Sequence, residues 1–188
     1  MVSFFIFPIA AAVILYSQFL IDFIPKYTKW EPAILSLTFF ALNTVFSSIS
    51  TPLTNFLNAI GKVKVTLVFM VIWTTLTWVL TPLLIKIYGY NGFAFASFGV
   101  SVTSIGVLFI SRRYVKFSFI KPVGRQLLAA MLMFGLIFLT RGMITSFPLL
   151  FVNMIIAGAV YIGFLFLIAH EELLKTFKFI IVSVRSKS

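Results

Sequence analysis

The chain has no cysteine and one histidine, His170. Disulfides and thiolate metal sites are therefore excluded, and cysteine usage gives no information on redox compartment. A histidine-based metal site or catalytic triad is disfavoured as well. His170-Glu171-Glu172 starts like an H-E-x-x-H zinc helix, but position 174 is Leu174, so the second ligand is missing. Charge is also scarce, at 10% of residues against about 25% in an ordinary soluble domain. The sequence has no glycine-rich phosphate loop, no nucleophile paired with a base, no paired carboxylates and no chain of acidic residues within an apolar segment. Enzymatic chemistry is not expected, and no cofactor or metal is implied.

What the chain does have is apolar surface. Hydrophobic residues make up 61% of it, where soluble domains carry about 45–50%. So few charges cannot clothe a soluble globule, and the composition is that of an integral membrane protein. The formal charge of +11 does not indicate nucleic acid. The basic residues are spread between apolar segments, which is how lysine and arginine collect where helices leave a membrane.

A helix needs about 20 apolar residues to cross a hydrocarbon core roughly 30 Å thick. Six segments qualify, at about 3–24, 32–57, 65–85, 92–111, 124–141 and 147–169. The expected fold class is all-α, a polytopic membrane helix bundle of six transmembrane helices. The breaks between them are short, so residues 1–170 are read as one transmembrane lobe with no soluble domain inserted.

Six crossings put both termini on one side. That side also receives Lys62 and Lys64, the group Arg112, Arg113, Lys116, Lys121 and Arg125, and the tail residues Lys175, Lys178, Arg185 and Lys187. The other side has only Lys26, Lys29, Lys86 and Arg141. The positive-inside rule then predicts cytoplasmic termini in a cell inner membrane. The break after Asn58 becomes a cytoplasmic turn, with Gly61 ending the helix and Lys62 holding the turn inside. Residues 171–188 space Leu173, Leu174, Phe177, Ile180, Ile181 and Val184 helically, opposite Glu171, Glu172, Lys175 and Lys178. They are read as an amphipathic tail lying in the cytoplasmic interface, the alternative being a continuation of the sixth span. The apolar run from Phe4 to Ile24 is longer than a signal-peptide core. Entered almost without preamble, it is read as a retained span from the middle of a longer protein.

The second span is the most informative. At about 100° per residue, Asn43, Ser47, Ser50, Thr51, Thr54 and Asn58 share a face, which Thr44, Ser48 and Asn55 widen. Serine and threonine also serve in close helix packing, but a stripe this long is read as the wall of a pathway. Pro52, mid-span, frees the carbonyl of Ser48. Amides and hydroxyls without carboxylates suit neutral, hydroxyl-rich ligands, because each group both donates and accepts. Asn43, Ser47, Thr51, Thr54 and Asn55 are the pathway candidates, with Thr74, Thr75, Thr77 and Asn153 as weaker ones. Arg141, near the outer end of the fifth span, either snorkels to the interface or meets an anionic ligand as it emerges. Small residues in the fourth span, Gly92/Ala96, Ser97/Ser101 and Gly99/Thr103, are read as packing positions.

"LNAIGKVKV", followed one span later by "LLIKIYGYNGFAFAS", resembles the carboxy-terminal half of Wzx-type polysaccharide flippases, in the multidrug/oligosaccharidyl-lipid/polysaccharide exporter superfamily. The matching features are the Asn-x-x-Gly-Lys turn at Asn58, Gly61 and Lys62, then Leu84-Ile85, Tyr88-Gly89 and Gly92-Phe93-Ala94. Phe93 departs from the alanine that many members have there. The resemblance covers roughly Phe4 to Ala169. It implies one lobe of a two-lobe MOP/MATE-like transporter, with lipid-linked (undecaprenyl-pyrophosphate) oligosaccharide as cargo and membrane lipids as surroundings. It also implies either a missing N-terminal lobe or a second copy as partner. Three alternatives remain: lipid-linked peptidoglycan precursor transport within the family, a cation-coupled multidrug exporter of the same superfamily, and a non-transporting fragment or scaffold.

Overall fold

Long apolar runs in a chain with few polar side chains leave the backbone to satisfy its own hydrogen bonds, and the helix does that within a single segment. The computed structural model describes residues 2–24, 29–114 and 120–185, and among these the structure is helix, short turns and no strand. The helices are α1 Val2–Phe23, α2 Ala33–Ala59, α3 Val63–Tyr88, α4 Asn91–Thr103, α5 Ile105–Tyr114, α6 Ile120–Thr140 and α7 Phe147–Arg185. Taking α4 and α5 as one segment, six are long and apolar enough to cross a membrane: Ser3–Phe23, Ala33–Ala59, Val63–Tyr88, Asn91–Tyr114, Val123–Met143 and Phe147–Ile168. This is the architecture of a multi-pass membrane protein.

Two features differ from the sequence reading. The fourth span is interrupted at Ser104, where α4 ends and α5 begins. The amphipathic tail continues α7 without a break to Arg185, and residues 186–188 lie outside the described residues.

The chain divides into two units, Met1–Phe117 and Ser118–Ser188. In the first, α2 is central and packs on α1, α3, α4 and α5. The turn between α2 and α3 explains its own sequence. Lys62 N–H donates to the Leu57 carbonyl (2.8 Å) and Gly61 N–H to that of Asn58 (3.0 Å). This paired pattern closes a helix through a left-handed residue, and Gly61 occupies it at φ +75°. Lys62 then begins α3, its ammonium 5.1 Å from the centre of the Tyr114 ring at the end of α5.

The turn between α3 and α4 relies on glycine twice. Gly89 has φ +60°, and Gly92 is buried so tightly on α3 that a Cβ would overlap the Leu84 carbonyl and the Ile85 nitrogen. Aromatic side chains fill the upper α2–α4 seam: Phe39 meets Phe95 at 4.6 Å and Phe98 at 5.4 Å between ring centres, and Phe46 meets Phe98 at 5.8 Å. Ser36 donates to Asn91 Oδ1 across the same seam (2.6 Å), so α2 and α4 run parallel with their starts together.

The second unit is the hairpin of α6 and α7. Its seam buries Ala129, Met133 and Ile137 on one side, and Leu150, Ala157, Tyr161 and Leu165 on the other. These spacings of four and seven put one stripe of each helix into the contact. Asn153 Nδ2 donates to Thr140 Oγ1 across it (2.8 Å). Outward from both units point large apolar side chains, among them Leu67, Val71, Trp78, Leu139, Ile155 and Leu167, a surface suited to lipid rather than water.

Candidate functional site

The polar residues of α2 do not form one wall. Proline inside the helix removes one N–H, yet α2 runs unbroken past Pro52, and its hydroxyls are held largely by their own backbone. Thr44 donates to Phe40 (2.8 Å), Ser48 to Val45 (2.7 Å) and Thr54 to Thr51 (2.9 Å), in each case to a backbone oxygen. Such back-bonding occupies the proton but leaves oxygen lone pairs free to accept.

A cleft of about 470 Å³ opens along α2 where it faces α1. Its lining takes Ile6 from α1, and Thr44, Ser47, Ser48, Thr51, Pro52 and Asn55 from α2. Thr51 and Asn55 are exposed into it, and Ser48 is buried at its floor. The volume lies within the roughly 300–1,000 Å³ typical of small-ligand sites. The polar lining is hydroxyl and amide only, so the cleft can donate and accept hydrogen bonds but carries no charge of its own.

Of the residues singled out from sequence, Ser47, Thr51 and Asn55 meet in this cleft. Asn43 lies on another side of α2, facing α3 and α4. Thr54 is buried in the packing at 8% exposure and is no part of the cleft. Asn58 and Gly61 belong to the turn. Arg141 sits in the second unit, in the one-turn helix Arg141–Met143 after α6, with its guanidinium 4.2 Å from the centre of the Phe138 ring.

The weaker candidates also separate. Thr77 faces α2 and α4, Thr74 and Thr75 are exposed, and Asn153 joins α6 to α7. Asp22, which the sequence sets one helical turn before Lys26, is reached by Gln18 Nε2 at 3.3 Å; Lys26 lies outside the described residues. Among the described residues, no group of three or more His, Asp or Glu could hold a metal ion.

Sequence reasoning missed Ile6 and Trp73. Both are apolar in a chain full of apolar residues, and only contact between helices distinguishes them.

Comparison of the chain with protein-family models, with curated proteins and with solved structures returned no match to any of the three.

Proposed function

We propose that this chain is one lobe of a flippase that moves lipid-linked oligosaccharide across the cytoplasmic membrane for surface polysaccharide assembly. The observation that carries the reading is the uncharged cleft along α2, whose largely apolar wall carries the hydroxyls of Ser47 and Thr51 and the amide of Asn55, set in a unit otherwise sheathed in apolar side chains. Sugar hydroxyls both donate and accept, and Ser47, Thr51 and Asn55 match that chemistry without the cost of a buried charge. The turn motifs at Asn58-Gly61-Lys62 and Tyr88-Gly89-Gly92, which resemble those of polysaccharide flippases, support the same reading.

In this proposal the lobe works against a second lobe, and rocking of the two exposes the cleft to each side of the membrane in turn. The glycan passes along the hydroxyl-lined face while its lipid tail stays in the bilayer, and no covalent step is involved. Both termini lie in the cytoplasm, as the distribution of lysine and arginine supports.

The test is export. In cells whose surface polysaccharide depends on the transporter that contains this chain, Ser47→Leu, Thr51→Leu and Asn55→Leu together are expected to abolish the surface polymer. Protein level and melting temperature should stay near those of the parent. Normal polymer from the triple variant would end the proposal.

A further inference from the structure

A second polar space lies on another side of α2. Between α2, α3 and α4 there is an open pocket of about 240 Å³, lined in part by Asn43, Ser47, Trp73, Ser97 and Ser104. We infer that it is a binding site for neutral hydroxyl groups, supplied by a few water molecules or by a small polyol.

The argument begins with unfilled hydrogen bonds. Ser104 is only 7% exposed and lines the cavity, yet no described residue exchanges a hydrogen bond with its hydroxyl. Trp73 lines the same space with its ring, while its indole Nε1 is sealed off even from a water-sized occupant and does not open onto it. The side chains of Asn43, Ser47 and Ser97 likewise make no hydrogen bond among the described residues. Two further lining hydroxyls have committed their protons: Thr77 to the Trp73 carbonyl (2.8 Å) and Ser101 to that of Phe98 (2.7 Å). They can now only accept. Buried polar groups are normally paired, with protein or with ordered water. Here free donors and free acceptors from three helices converge on one space, so its occupant must do both.

Size and charge narrow the occupant. The pocket is below the roughly 300–1,000 Å³ of drug-sized sites, which suits a small occupant. At about 30 Å³ per water it would hold about eight molecules, or one small polyol. No charged side chain lines it. An ion is disfavoured, because a cation would find no carboxylate and an anion no basic group.

The helix joint points the same way. At Ser104 regular α bonding gives way to tighter turns: Ser104 N–H donates to Ser101 and Val107 N–H to Ser104, both at 3.0 Å. Irregular backbone at membrane depth is tolerated where it is buried in protein or lines a water-filled space, and this joint lies on the cavity wall. The inference concerns a different space from the α1–α2 cleft; Ser47 lines both, so the test below leaves Ser47 unchanged and uses Asn43, Ser97 and Ser104.

The chain has three tryptophans, and Trp30 and Trp78 are both well exposed. A Trp30→Phe, Trp78→Phe variant therefore leaves Trp73 as a fluorescent reporter of the cavity in the whole chain. In lipid nanodiscs its emission is expected well to the red of an indole in dry hydrocarbon. Adding Asn43→Leu and Ser104→Val should shift the emission to the blue; Ser97→Ala, a milder change, should shift it less. A glycerol titration separates the two sources: a saturable shift assigns the site to a polyol, and a shallow linear drift assigns it to water. Dry, blue-shifted emission from Trp73 in the parent, unchanged by Ser97→Ala, would overturn the inference.

Discussion

Gly92→Ala is the sharpest test of how α3 and α4 are held together. The added methyl would overlap backbone atoms of Leu84 and Ile85, and backbone within a helix cannot step aside as a flexible side chain can. The two helices would have to part by about 1 Å along a close-packed seam, an overpacking strain of about 3 kcal/mol at the upper end of the usual range. Alanine returns about 1 kcal/mol of helix propensity, leaving a net loss of about 2 kcal/mol. For a chain of this length that lowers the melting temperature by about 4–8 °C. Gly99→Ala, on the same helix, is the control, because nothing lies within 4 Å of its Cβ position. It should hold or raise the melting temperature. The assay is thermal unfolding in one detergent, followed by far-ultraviolet circular dichroism. Gly92→Ala melting with or above Gly99→Ala would refute the packing argument for this hairpin.

Three other perturbations follow from the same geometry. Gly61→Ala forces a side chain into φ +75° and should cost about 1–2 kcal/mol, read as a lowered melting temperature. Thr140→Val removes the acceptor of the Asn153 amide and should weaken the α6–α7 hairpin by about 0.6–1.7 kcal/mol, seen as faster proteolysis of that hairpin. Tyr114→Leu removes the ring beneath the Lys62 ammonium and should cost about 0.5–1 kcal/mol, detected as earlier loss of α5 amide protection in hydrogen exchange.

The spans were legible because length and apolarity leave little choice in a membrane. The break at Asn58-Gly61-Lys62 and the pair Tyr88-Gly89 are local signals, carried by glycine's access to positive φ, and the structure ends α2 and α3 at these two places. The polar stripe of α2 was only half legible. Periodicity says which residues share a face but not which neighbours surround the helix. Thr51 and Asn55 therefore open toward α1, Asn43 turns toward α3 and α4, and Thr54 is swallowed by packing. The interruption at Ser104 left no sequence signal, since no proline or glycine occupies that position and a serine inside an apolar run reads as helix. Trp73 was hidden for a simpler reason: an indole in an apolar span reads as lipid-facing until the helices beside it are known.

The central claim is that α2 presents a wet face through the cleft beside α1. The chain has no native cysteine, so single cysteines can be placed without background. Ser47→Cys, Thr51→Cys and Asn55→Cys should react with a small charged thiol reagent many times faster than Val71→Cys, whose side chain is exposed on the apolar surface of α3. All variants are to be assayed in native membranes. If the three α2 positions react no faster than position 71, the cleft is dry, and the proposed pathway along it does not exist.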